Sequence, residues 1–134
     1  MTVAMAVCIC SLTACGSNAV GNTPDLAEFE SSDQPYFYVG ESFDGLTLAH
    51  AEPYDATGVG FLIYGTCEAS SDTGCAPPLE LQHRLCGGRL TVVIFVGSDP
   101  KPGRAARAAR ALQPLSRGAT GVKPRLAFGN SPPC

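Results

Sequence analysis

The sequence predicts an α+β domain, with a small antiparallel sheet of about four to six strands, one helix and a disulfide framework. Three observations indicate this fold class. Short apolar segments alternate with polar residues, one stretch is rich in Ala and Arg, and four cysteines follow residue 66. The 134 residues suit a single domain, and 15 Gly and 11 Pro favour short elements joined by turns.

An early hairpin is the first element predicted along the chain. Tyr36–Val39 and Leu46–Leu48 have strand-like composition, and Asp44-Gly45 between them is a frequent pair in tight hairpin turns. We therefore expect these two segments to pair with each other through residues 41–45.

Three stronger strand patterns follow. Val59–Tyr64 is a short apolar run, and Leu79–Leu85 alternates apolar with polar residues as a half-buried strand does. Leu90–Val96 is apolar and largely β-branched, which predicts a central strand buried on both faces.

One helix and a last strand complete the predicted domain. Arg104–Leu112 is rich in Ala and Arg, follows a Pro-Gly pair and is succeeded by Pro114, which together predict a short helix. A strand near Arg125–Phe128 is expected at the edge of the sheet.

The cysteines from residue 67 onward predict two disulfides, because an even number in an exported domain is typical of a disulfide scaffold. We favour Cys67–Cys75 with Cys86–Cys134, since residues 68–74 form a polar turn that a local bridge would close. The two other pairings stay open. The spacing does not match that of zinc sites, and we predict neither a metal nor a cofactor.

The amino terminus carries the most specific motif. Residues 3–14 read VAMAVCICSLTA, an apolar run too short to cross a bilayer as a helix, and Cys15 follows. Leu12-Thr13-Ala14-Cys15 resembles the lipobox of bacterial lipoproteins. That resemblance implies that the signal is cut before Cys15 and that the Cys15 sulfur receives a diacylglyceryl group, because a thiolate is the nucleophile that accepts lipid.

This resemblance implies a division of the chain and a location. Residues 1–14 would be the signal peptide, 15–34 the lipidated cysteine and a flexible tether, and 35–134 the domain, held at the extracytoplasmic face of a cell membrane. Residues 1–11 contain no Lys or Arg, which a start upstream of Met1 would supply. The alternative interpretation of residues 3–14 is a buried apolar segment, and DLAEFE at 25–30 could instead dock on the domain.

The charges are separated along the chain. Eleven of the twelve acidic residues lie between Asp25 and Glu80, and all nine basic residues lie from Arg84 onward. We expect the two halves to dock on each other. The net charge of −3 argues against a nucleic-acid partner, because such binding depends on neutralising phosphates.

One group of basic residues suggests a membrane contact. Arg104, Arg107 and Arg110 recur every third residue of the predicted helix and could touch anionic headgroups beside the anchor. They could equally pair with the acidic half, or form a solvated face of the helix.

Catalytic patterns are weak. Gly40–Asp44 (GESFD) approaches the G-x-S-x-G motif of hydrolases around Ser42, but Asp replaces the last Gly and a turn is the better interpretation. His83 is expected in the core, because it shares strand parity with leucines. His50 with Glu52 and Asp55 is a loose combination of metal ligands.

The leading hypothesis is therefore a non-enzymatic lipoprotein that binds an envelope protein or ligand which the sequence does not identify. A small envelope hydrolase that uses Ser42, His83 or the acidic cluster is one alternative, and a structural envelope protein without a ligand is another.

Overall fold

The computed structural model describes residues 24–66, 76–97 and 101–129. The elements in chain order are α1 (Ala27–Glu30), β1 (Phe37–Tyr38), β2 (Ser42–Phe43), β3 (Leu46–Glu52), β4 (Val59–Tyr64), β5 (Leu79–Cys86), β6 (Arg89–Phe95), α2 (Arg104–Ala111), β7 (Gln113–Pro114), a 3₁₀ turn (Arg117–Ala119) and β8 (Arg125–Phe128).

The predicted α+β class is confirmed. Within the described residues, six strands form one sheet in the order β2-β3-β4-β5-β6-β8, and β1 pairs with β7 in a separate two-stranded ribbon. Neighbours from β2 to β6 are antiparallel, but β8 runs parallel to β6, so the expectation of a wholly antiparallel sheet was wrong at this edge. The chain leaves β6, passes through α2 and returns in the same direction, and such a crossover places the next strand parallel.

The strands with strong apolar patterns lie where the sequence predicted them. In β5, Leu79, Leu81 and His83 are fully buried, whereas the residues between them are partly exposed. The middle of β6 is buried on both faces, because Val92, Val93 and Ile94 are successive and at most 1% exposed. β6 lies between β5 and β8 and is therefore an interior strand.

The predicted early hairpin was wrong in its pairing. The turn at Asp44-Gly45 is present, with φ of 54° and 79°, but it joins the short strand β2 to β3. β1, inside the segment Tyr36–Val39, pairs instead with β7, which lies far along the chain. A two-residue strand carries little pairing information of its own, so tertiary contacts decide its partner.

Side chains of the main sheet hold the ribbon in place. The Tyr64 hydroxyl of β4 accepts a hydrogen bond from the Val39 N–H at 3.2 Å and donates one to the Gly40 carbonyl at 2.9 Å. On the other side of the ribbon, the Ser116 hydroxyl accepts from the Tyr36 N–H at 2.8 Å and donates to the Gln34 carbonyl. Buried backbone groups that lack strand partners are satisfied in this way.

The folded part begins earlier than residue 35, the predicted boundary. Leu26 and Phe29, on and beside α1, are 7% and 5% exposed and belong to the core. Farther along, the backbone at Asp33 approaches Gly118 so closely that a Cβ at residue 118 would collide with the Asp33 carbonyl. Residues 24–34, assigned to the tether, are therefore packed on the domain, in agreement with the alternative of a docked DLAEFE segment.

The predicted helix is confirmed as α2. It begins after Gly103, whose φ of 72° suits glycine, and it ends at Ala111, after which Leu112 is extended. Ala108 is fully buried, and the helix packs against β6. The short helix α1 and the 3₁₀ turn add helical structure that the sequence analysis did not predict.

Candidate functional site

Several predicted functional residues lie outside the described residues. They are Cys15, Cys67, Cys75 and Cys134. Of the cysteines assigned to disulfides, Cys86 is described, and it lies at the end of β5 before the turn into β6. Lipidation of Cys15 and both disulfide pairings therefore remain predictions.

The three helix arginines do not form one free stripe. Arg104 is 2% exposed, and its Nε lies 2.9 Å from Oδ2 of Asp44 in the β2–β3 turn. The Nη2 of Arg107 lies 2.9 Å from the same oxygen. Arg110 is exposed. The expected contact of all three arginines with a membrane surface was therefore wrong for Arg104, whose charge is buried. Arg104 and Arg107 instead pair with an aspartate of the acidic half, which was the alternative expectation.

Asp44 is the centre of this ionic cluster. Hydrogen bonds from Arg104, and then from Arg107, lower the pKa of the Asp44 carboxyl, and the positive charge of Lys101 adds to the effect. Arg117 also pairs with the acidic half, with its Nη2 2.7 Å from Oδ1 of Asp33. Oppositely charged residues of the two halves thus meet, as the charge distribution predicted.

His83 serves the fold and is closed to solvent. Its Nε2 lies 3.0 Å from the Phe37 nitrogen and 2.8 Å from the Phe37 oxygen. It can accept from the N–H in one tautomer or donate to the carbonyl in the other. Burial lowers the pKa of His83 to about 4, opposed by hydrogen bonding to the Phe37 backbone, so the ring is neutral near pH 7. A fully buried imidazole cannot reach a substrate, and the predicted core position is confirmed.

The other candidate catalytic and metal-binding residues do not converge. Ser42 is an exposed residue of the short edge strand β2, whereas His83 is fully buried on β5. His50 contacts Glu52 at 2.8 Å on the exposed part of β3. Asp55 accepts hydrogen bonds from Thr57 within its own turn. Over the described ranges, no group of three or more His, Cys, Asp or Glu side chains could hold a metal ion.

A groove at the opposite edge of the sheet is a further candidate site. Its volume is about 800 Å³, and it lies between the β5–β6 turn and the segment that leads into β8. The β5–β6 turn contributes two glycines, Gly87 and Gly88, with φ of 56° and 78°. The parallel pairing of β6 with β8 sets Arg125 opposite Thr91, which brings the two walls together.

The groove is positively charged. Arg89, Lys123 and Arg125 line it, each is exposed, and none of the described residues that line it is acidic. None of the three belongs to an ion pair with another described residue. Such an arrangement attracts anions, because no carboxylate within the site competes for the cations.

Exposed apolar side chains lie beside these cations. Among the described residues, the large hydrophobic side chains that stay exposed are Val122 at 39%, Leu126 at 39% and Phe128 at 53%. All three fall in the segment that also carries Lys123 and Arg125. Val122 itself lines the groove.

Sequence reasoning missed this groove. One signal was present: after Arg84 the chain has eight further basic residues and a single acidic residue, Asp99, so some cations had to remain without a local partner. The sequence does not show which cations these are, because Arg89 and Arg125 line one groove only when β6 pairs with β8.

We find no match for the chain among family models, curated proteins or solved structures. No helix within the described ranges is both long enough and apolar enough to span a membrane.

Proposed function

We propose that the protein is a bacterial lipoprotein, anchored by lipid on Cys15 to the extracytoplasmic face of a cell membrane. The observation that carries this proposal is the sequence Leu12-Thr13-Ala14-Cys15 after an apolar run. A processed, acylated cysteine needs small residues before it and a thiolate nucleophile, and the motif provides both. The amino terminus of the mature chain then holds the domain at the bilayer.

The proposed disulfides fit export to an oxidising compartment. What supports the pairing of Cys86 is that this residue is not a free thiol. The proposed partner of Cys86 is Cys134, and the proposed Cys67–Cys75 bridge would close the polar segment 68–74. The chain-entropy model gives roughly 4 kcal/mol for the longer loop and roughly 2.5 kcal/mol for the shorter one.

We further propose that the domain is a non-enzymatic binding module. A nucleophile needs a base within hydrogen-bond reach, whereas Ser42 is exposed on an edge strand and His83 is sealed in the core. The charged groove beside β8 supports a binding function, because its cations are not used by ion pairs of the described fold.

Replacement of Cys15 tests the anchor. In a bacterial host, the wild-type chain should fractionate with membranes, and Cys15→Ala should accumulate as an uncut precursor that carries no lipid. Cys10→Ala is the matched control, because it removes a cysteine from the same apolar run and should process normally.

Fractionation alone leaves one ambiguity, since an uncut apolar signal also binds membranes. Metabolic labelling with a fatty acid resolves it: label should enter the wild type and Cys10→Ala but not Cys15→Ala. Equal labelling of all three variants, or of none, contradicts the proposal. Proteolysis of intact spheroplasts then tests the side of the membrane, and resistance of the wild-type domain to the protease contradicts an extracytoplasmic location.

A further inference from the structure

Seven of the nine basic residues fall into two groups by their use. Four of the nine make ion pairs in the described structure: Lys101, Arg104, Arg107 and Arg117. A different set of three lines the groove beside β8, where the described lining residues include no carboxylate. Cations in a concave site without counter-charges favour an anionic ligand that enters from outside.

The neighbouring side chains indicate what kind of anion fits. Val122, which lines the groove beside Lys123, is 39% exposed. A small soluble anion makes no favourable contact with exposed apolar groups. A membrane interface, in contrast, presents anionic headgroups next to acyl chains, so cationic and apolar side chains can both contact it. Cations and apolar side chains within one segment therefore match the chemistry of an anionic bilayer surface.

We propose that this groove binds the phosphate of anionic phospholipid headgroups, and that Val122 contacts the interfacial region beside it. The inference rests on the proposed lipoprotein anchor, which brings the domain to a bilayer. The stretch between Cys15 and Pro24 limits the start of the domain to about 30 Å from the anchor, even if fully extended. The groove supplies a second contact, which a single lipid anchor generally needs for stable attachment.

Vesicle binding by a chain that cannot be lipidated tests the groove apart from the anchor. The full chain with Cys15→Ala is mixed with vesicles of phosphatidylcholine alone or with added phosphatidylglycerol, and the partition coefficient is measured by sedimentation. Residues 1–14 are present in every variant, and the neutral vesicles measure their contribution. We expect binding to increase with phosphatidylglycerol content and to weaken with salt.

The decisive variant is Arg89→Gln, Lys123→Gln, Arg125→Gln in that background. It should bind phosphatidylglycerol vesicles roughly 100-fold more weakly, because each basic residue near an anionic surface contributes about 1 kcal/mol. The matched control, Lys101→Gln, Arg110→Gln, Arg117→Gln, changes the net charge equally but leaves the groove intact, and it should lose much less. Val122→Ser should also weaken binding and should leave the remainder more sensitive to salt.

Three results would overturn the proposal. Equal losses in the groove variant and its control would make the effect one of net charge. Unchanged binding by the groove variant would exclude the groove from the interface. Tight binding of glycerol phosphate in solution, without a gain from phosphatidylglycerol in vesicles, would assign the groove to a soluble anion. A failed anchor appears separately, as missing lipid on wild-type Cys15.

Discussion

The two edges of the main sheet use positive charge in opposite ways. At the β2–β3 edge, Asp44 binds Arg104 and Arg107 through a single carboxylate oxygen, and Arg104 is buried. At the β6–β8 edge, Arg89 and Arg125 line a groove that has no acidic residue among its described lining. The positive charges at the first edge form ion pairs within the fold, whereas those at the second edge are available to a ligand.

The sequence alone does not distinguish the cations that stabilise the fold from those that are available to a ligand. The comparison of the two edges does. The helix stripe has the more regular spacing, yet its first arginine is closed to solvent. The groove residues show no regular spacing, and the fold collects them. If the comparison is correct, substitutions at the first edge should change stability, and substitutions at the second should change binding.

The largest expected effect concerns the core between the two edges. Ile94→Asp places a carboxylate at a site that is 1% exposed, between β5 and β8. Burial of a charge without a partner exceeds the stability of a small domain, so the variant should not fold. Circular dichroism and soluble yield measure this outcome. Leu126→Asp makes the same substitution at an exposed site of the adjacent strand and should fold; loss of folding in both variants would contradict the assigned edge.

The next effect tests the β2–β3 edge. Asp44→Asn keeps a residue that tolerates the positive φ of the turn but removes the charge that faces buried Arg104. Removing the charged partner of a buried arginine is destabilising, and we expect Tm to fall by about 10 °C. Asp33→Asn is the matched control, because the Asp33–Arg117 pair is solvent-exposed, and it should change Tm little. Similar melting of Asp44→Asn and wild type would remove the structural role assigned to this edge.

A third effect comes from His83 and depends on pH. Its pKa in the folded chain is lowered to about 4, so between pH 6.5 and 4 the unfolded chain binds a proton that the folded chain does not. Stability is therefore complete above the unfolded pKa and falls as pH decreases. The expected loss is about 2 kcal/mol from pH 7 to pH 5, which urea unfolding at the two values measures.

Substitution isolates this histidine from other titrating groups. His83→Gln should be less stable at pH 7 but should lose most of the slope between pH 7 and 5, whereas exposed His50→Gln should retain it. An unchanged slope in His83→Gln would show that other groups control the pH dependence.

The smallest effect is expected at the β6–β8 edge. Arg89→Gln, Lys123→Gln, Arg125→Gln should change Tm by no more than about 2 °C, because exposed cations outside ion pairs contribute little to stability. Differential scanning calorimetry of this variant beside Asp44→Asn compares the two edges directly. A large destabilisation by the groove substitutions would mean that these cations are structural too.

The fold was predictable where one segment contains the whole signal. Leu79–Leu85 alternates strictly, and Arg104–Leu112 has a Pro-Gly entry and a proline after it, so both elements were identified closely. The partner of Tyr36–Val39 was not predictable, because this segment bonds to Tyr64, His83 and β7, all of which are distant in sequence. The parallel direction of β8 follows from the crossover through α2, which strand periodicity does not encode.

The candidate site was less accessible to sequence reasoning than the fold. The regular spacing of Arg104, Arg107 and Arg110 suggested a charged surface. Asp44 lies on a turn beside α2 and forms ion pairs with Arg104 and Arg107, so these two charges are used within the fold. Arg89 and Arg125 become one site only when β6 and β8 pair. Clusters that tertiary contacts assemble leave no local periodicity, so an excess of basic residues was the sole sequence signal.

Mass spectrometry of the protein isolated from its native membrane tests the central claim, the anchor at Cys15, most directly. Digestion should release an amino-terminal peptide that begins at Cys15 and carries the mass of a diacylglyceryl group on sulfur, with no peptide from residues 1–14. Recovery of an unmodified Cys15 within a peptide that continues into residues 1–14 would contradict the account.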